Sequence, residues 1–518
     1  MNSWDLITQV RQRVHEEEGI LRKQASLRIA LCHPSSYSVG MSSLGYQTIY
    51  REIHLHPGAS AERAFLPDNC GVYRSRRVPI FAYESETPIS DFPVVAFSIA
   101  YELEITGFQE MLDLSGIPLV REERTEKNPL VVVGGPLTNS NPVTLAPFVD
   151  LIILGEGEEL IHIFLDAAAG MRRKDLLSYL SGRPGFYVPE QMANLPDMAR
   201  AVDDCLPARS QILTKNAVLR SMFLIEPERG CSRGCTYCVM RHTASGGMRL
   251  VTPEKVLSMI PENARRVGLV GAAVTDHPGI QELVRRIVGD GREIGISSLR
   301  ADRIDEELVR MLARGGYRTL TTASDGASQR LRVLADRKIT EQHLIQAAKL
   351  VRLVGLQRLK LYQMVGLPGE TAADLDELVR FCLELSRIAP LSLSISPFVA
   401  KRNTPLDGAP FEPIASLEAK LSRIRSRLKG KAEVRSASAR WAWVEYMLSQ
   451  SGESAGLAAM DACRAGGSFA SWKRAFIHRE VKAYRHLPVH DVRRAVSHGS
   501  DNLHECEPIS SQGSVILA

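Results

Sequence analysis

The stretch ERGCSRGCTYC, residues 228–238, brings three of the chain's nine cysteines into eight positions: Cys231, Cys235 and Cys238. Thiols crowded in this way point to metal binding or catalysis. The opening MNSWDLITQVRQRVHEEEGILRKQ is polar and reads as an amphipathic helix, not a secretory signal. A reducing, cytoplasmic setting is therefore expected, and disulfides are not. Zinc asks for four protein ligands, and His242 is the nearby residue that would complete such a set. Three thiolates better fit an iron–sulfur cluster with one iron left open. Gly230 and Gly234 allow the tight backbone that this needs. The remaining cysteines (Cys32, Cys70, Cys205, Cys382, Cys463, Cys506) stand singly and read as small apolar residues.

The elements around the cysteines alternate strand with helix. Ahead of them, LRIALCHP (27–34), VVAFSIA (94–100), LVVVGG (130–135) and LIILGEGEE (from 151) read as buried strands ending in polar or glycine turns. That pattern predicts a doubly wound α/β domain over residues 27–168, with any ligand at the carboxyl ends of its strands. A helix over 1–26 precedes it and a connector over 169–222 follows. SMFLIEPERG leads into the cysteines. RVGLVGAAV (266–274), EIGISSLRAD (293–302), YRTLTTASD (317–325), RLKLYQMVGLPG (358–369) and SLSISPFV (392–399) continue the alternation. Parallel strands with helical crossovers predict a full or partial (β/α) barrel over 223–400, its chemistry at the carboxyl ends. Residues 401–490 read as a helical extension over the barrel mouth, and 491–518 as a mobile tail.

Hydrophobic content of 44% suffices for several cores, and no apolar run reaches the roughly 18 residues of a membrane span. A net charge of +5 excludes a general polyanion binder. The local basic surplus in KLSRIRSRLKGKAEVR (420–435) reads first as a solvated helix face, and only second as a nucleic-acid contact.

C-x3-C-x2-C after a first barrel strand, with ISSLRAD, DGASQRLR and KLYQMVGLPGETAADLDELV in the later segments, resembles the radical S-adenosylmethionine superfamily, in particular its subgroup with an N-terminal cobalamin-binding-type domain. The resemblance spans about residues 27–490. It implies that Cys231, Cys235 and Cys238 hold a 4Fe–4S cluster whose open iron binds S-adenosylmethionine. It further implies cofactor contacts from Tyr237, Asp276, Ser298, Arg300, Asp325, Ser328 and Gly366. Asp276 stands in for the family's Gly-Gly-Glu stretch, here GAAVTD, and Arg300 would fork onto the carboxylate. For cobalamin it implies Ser35, Tyr37, Gly40, Ser98, Gly134, Gly135, Gly155, Glu156 and Gly157. The usual D-x-H-x-x-G reads SSYSVG (35–40), so Tyr37 replaces the cobalt-binding histidine and no protein axial ligand is expected.

The expected activity is reductive cleavage of S-adenosylmethionine, with methylation of an unactivated carbon where cobalamin is bound. A cobalamin-free radical modification and a non-catalytic iron–sulfur redox or sensor protein are the alternatives. A low-potential electron donor such as flavodoxin or ferredoxin is the expected partner.

Overall fold

A computed structural model of the chain describes residues 3–242 and 246–484. The expected tail 491–518 and the side chain of His242 lie outside the described residues. The fold is mixed α/β, with a doubly wound N-terminal sheet, an open parallel barrel and a helical end.

The N-terminal sheet has six strands in the order Ala59–Phe65, Leu27–His33, Val94–Ser98, Leu130–Gly134, Leu151–Ile153, Phe186–Tyr187. The last is antiparallel and the rest are parallel. Chain direction across the sheet reverses between Leu27–His33 and Val94–Ser98, which opens a crevice at their carboxyl ends. Two of these strands are illegible in the sequence. ASAERAF (59–65) has no β-branched residue and carries two charges, yet every position is buried. Arg63 is tolerated there because Glu17, at 2.7 Å, and Glu84, at 2.6 Å, neutralise it. Phe186–Tyr187 lies in the predicted connector and extends the sheet past residue 168.

Seven parallel strands among the described residues form the barrel wall, in two ladders. Met222–Ile225, Arg266–Leu269 and Glu293–Ile296 form the first. Thr319–Asp325, Arg358–Val365, Leu391–Pro397 and Ala432–Ser436 form the second. Tyr317 bridges the seam: its hydroxyl accepts from Ile296 N–H at 2.6 Å and donates to the same residue's carbonyl at 3.2 Å. The final strand falls inside the predicted helical extension. KLSRIRSRLKGKAEVR is divided between a helix, Ile414–Arg427, and this strand.

The C-terminal helices pack on the N-terminal domain as well as on the barrel. Helix Glu453–Arg464 runs so close to Thr144 that a Cβ at Gly456 would sit 1.9 Å from its carbonyl oxygen. Asn141 donates to the carbonyls of Leu448 and Ser451 at 2.8 and 2.7 Å. One face of the N-terminal sheet, with Val95, Phe97, Val131 and Val133, belongs to the same continuous apolar core as the barrel. The other face, with Ile29, Leu31 and Val132, has a core of its own. No helix among the described residues is long and apolar enough to cross a membrane.

Candidate functional site

The cysteine loop is the tip of a hairpin. After the first barrel strand, Glu228–Gly230 pairs antiparallel with Met248–Leu250, and the three cysteines follow at once. Gly230 takes φ of +88°, a left-handed turn that admits the loop. Thr236 anchors the middle of the loop: its N–H donates to Ala335 O at 3.1 Å, and its carbonyl accepts from Leu406 N–H at 3.3 Å. Cys235 is buried, and Cys231 and Cys238 are half-buried. Burial pushes the Cys238 thiol up to about 11 and raises that of Cys231, and the neighbouring thiols add to both effects. Among the described residues no three His, Cys, Asp or Glu side chains converge on one point as a single ion requires. Three thiols fall one donor short of the four that zinc takes and match a cluster with one iron left open.

Two charge networks fix this loop to the carboxyl ends of the barrel strands. Tyr237 donates to Asp325 at 2.7 Å, and Arg337 pairs with the same carboxylate at 2.7 Å. A register shift at the end of Thr319–Asp325, with Asp325 at φ +62°, turns that carboxylate toward the loop. Arg337 also lies 4.0 Å from the Cys235 sulfur, a cation beside the thiols that the sequence did not reveal. On the other side Arg233, between the first two cysteines, forks onto Asp276 with two contacts of 2.6 Å. Burial raises the Asp276 pKa, but the Arg233 bonds more than offset this and leave it below the usual carboxylate range.

The residues expected to contact S-adenosylmethionine have partners within the fold. Arg300 is buried and forks onto Asp302 at 3.0 and 3.1 Å. Asp276 accepts from Arg233. Ser298 ties two strand ends together, donating to Gly271 O at 3.1 Å and accepting from Val274 N–H at 2.9 Å. Ser328 is a buried helix cap that donates to Asp374 at 2.5 Å. Gly366 donates its N–H to Glu370 at 3.0 Å and faces Leu417. Tyr237 and Asp325 stand beside the cysteines.

A cavity of about 440 Å3 opens between the N-terminal sheet and the cysteine hairpin. Its floor is apolar, with Leu31, Ala96, Val132, Ile153 and Phe164, and its barrel wall includes Glu228, Gly230, Met240 and Gly271. Ser98, Gly134, Gly135, Gly155, Glu156 and Gly157 line it as expected from a crevice at the strand ends. Gly135 and Gly155 owe their identity to neighbouring backbone: a Cβ would meet the main chain of Ile99 or Ala199 within 3 Å. Ser35, Tyr37 and Gly40 do not line the cavity. Ser35 donates to Glu104 at 2.8 Å, and Tyr37 turns under the sheet to donate to Glu17 at 2.6 Å. Gly40 packs on Phe65. His33 is buried, and burial lowers its pKa to about 4.

The hairpin is latched to the N-terminal domain across this cavity. Arg249 forks onto Glu156, and Arg229 pairs with Glu158 at 2.7 Å and Glu226 at 2.8 Å. Glu228 is the residue that sequence reasoning missed. Its side chain is fully buried, and Ala273 N–H donates to Oε1 at 2.8 Å. A Cβ at residue 271 would come within 2.2 Å of that oxygen, which explains Gly271. Burial pushes the Glu228 carboxyl up to about 8.

Family models place this geometry. Residues 45–189 match the model for radical SAM proteins, N-terminal, and residues 225–382 match that of the radical SAM superfamily. The chain belongs to the radical S-adenosylmethionine superfamily. It is 25% identical over 410 residues to an uncharacterized protein of Methanocaldococcus jannaschii, covering 77% of this chain and 83% of that one. It is 24% identical over 277 residues to an uncharacterized methyltransferase of Pyrococcus horikoshii, covering 50% of this chain and 59% of the relative. The cobalamin-dependent S-adenosylmethionine radical enzyme OxsB, solved with aqua-cobalamin and S-adenosylmethionine, superposes with a TM-score of 0.47 at 15% identity, over 69% of this chain and 52% of OxsB.

Proposed function

We propose that this radical S-adenosylmethionine enzyme holds a 4Fe–4S cluster on Cys231, Cys235 and Cys238, binds a corrinoid in the cavity between hairpin and N-terminal sheet, and methylates an unactivated carbon. The observation that carries the reading is the juxtaposition of three thiols with a cavity that has an apolar floor, at the carboxyl ends of two parallel sheets. A bound cluster supplies the low-potential electron that cleaves S-adenosylmethionine. The protein's share is positioning and charge. Arg337 places a cation beside Cys235. The Arg233–Asp276 and Tyr237–Asp325 contacts hold the loop from both sides.

The apolar floor and the glycine-lined strand ends of the cavity are the residues that would hold a corrinoid. His33 and Tyr37 are both turned away, which supports binding without a protein ligand to cobalt. The Pyrococcus relative's name agrees with methyl transfer. Electrons would come from a small donor of the flavodoxin or ferredoxin kind. Equilibrium dialysis of the anaerobic protein with hydroxocobalamin tests the cavity assignment. Binding with a base-off spectrum is expected, and no binding would leave methyl transfer without its carrier.

A further inference from the structure

The cavity wall carries charged side chains, and all but one are spoken for. Glu156, Glu158 and Glu226 are paired with Arg229 or Arg249. Glu228 is different. Its Oε1 accepts from Ala273, and its Oε2 is buried without a hydrogen-bond partner among the described residues. A buried carboxyl oxygen without a partner is costly, and more so when charged. No arginine or lysine of the wall is turned to it. The strand end at Gly271 is left bare of side chain where the carboxyl lies.

We propose that Glu228 is the barrel-side recognition residue of this cavity, its free oxygen donating a hydrogen bond to a carbonyl-type acceptor on the bound molecule, an amide arm of a corrinoid. The assignment rests on the corrinoid reading above. With the carboxyl pushed up to about 8 by burial, Glu228 is mostly protonated at neutral pH. Oε1 then remains the acceptor for Ala273 and Oε2 becomes a donor. The groups around it are acidic: Glu226 and Asp276 both raise its pKa, so the neutral form is the one their charges favour. An apolar floor with one donor on the opposite wall selects a ligand that is apolar at one end and offers an acceptor at the other.

The test is equilibrium dialysis of the full chain, anaerobic, with hydroxocobalamin and with cobinamide, which keeps the corrin amides and lacks the nucleotide. Glu228→Gln keeps an acceptor for Ala273 and a donor for the cavity, and should bind both probes as wild type does. Glu228→Leu should weaken both by about tenfold, the equivalent of about 1.4 kcal/mol. Loss of cobalamin binding alone would move the acceptor to the nucleotide arm and overturn the assignment to a corrin amide. Equal affinity for Glu228→Leu and wild type would overturn the role of Glu228 and leave the corrinoid reading intact. Failure of wild type to bind either probe would overturn both. Should Glu228→Leu not fold, infrared difference spectra settle the matter in the wild type. The carbonyl band of a protonated carboxylic acid should shift when hydroxocobalamin is added and be missing in Glu228→Gln. An unshifted band would sink the proposal.

Discussion

At the scale of single residues, chemistry that is local in sequence was legible and chemistry assembled across strands was not. Cys231, Cys235 and Cys238 stand out because three thiols fall within eight positions. Arg300 is the opposite case. An arginine suits a carboxylate ligand and an internal partner equally, and here it forks onto Asp302, two residues on. Glu228 had no signal, since its burial depends on Gly271 and Ala273, in the loop after the Arg266–Leu269 strand. Replacing any one of the three cysteines by alanine should remove most of the iron from anaerobically prepared protein. The same change at Cys32 or Cys382, both buried singly, should leave the iron content unchanged. Glu228 also predicts a pH effect. Its folded value of about 8 lies above the ordinary 4.5, so the stability tied to its protonated form is whole below pH 4.5 and is lost as pH rises through about 8. Glu228→Gln apo protein should therefore gain thermal midpoint relative to wild type between about pH 5 and about pH 9. A constant difference across that range would contradict the assigned pKa. His33→Ala should leave the absorption spectrum of bound cobalamin unaltered, because that imidazole is buried against Tyr46.

At the scale of elements, the hairpin matters most. It carries the cysteines at its tip and the latch to the N-terminal domain on its strands. Removing one partner of a buried ion pair leaves the other uncompensated, at up to about 3–5 kcal/mol. Arg249→Met should therefore speed hydrogen exchange of the hairpin amides at 228–230 and 248–250 by about tenfold or more, the equivalent of about 1.4 kcal/mol of lost protection. Glu156→Gln in the same protein should restore part of it. The Leu391–Pro397 strand, away from the latch, should exchange as in wild type. The strands themselves were uneven in legibility. The β-branched ones, such as LVVVG, read clearly. ASAERAF and AEVRS did not, because their burial or pairing comes from partners elsewhere: Glu17 and Glu84 in one case, the edge of Leu391–Pro397 in the other.

At the scale of the whole molecule, the domains read from the sequence share structure. One apolar core runs from the N-terminal sheet through the barrel into the C-terminal helices. Lys401 ties the C-terminal extension to the N-terminal domain, pairing with Glu445 at 2.7 Å and Glu102 at 2.6 Å. Gly456→Val, at the contact with Thr144, should lower the unfolding midpoint of sheet and barrel together. The arrangement sets the cysteine loop beside the cavity, so the cluster, corrinoid and S-adenosylmethionine of the proposed function would share one site. The most direct measurement is 5′-deoxyadenosine formed from S-adenosylmethionine under anaerobic reduction, by protein reconstituted to about four irons per chain. Wild type should form it, and the Cys231→Ala/Cys235→Ala/Cys238→Ala protein should not. Wild type that holds its irons and leaves S-adenosylmethionine intact, or a triple variant that still cleaves it, would contradict the account.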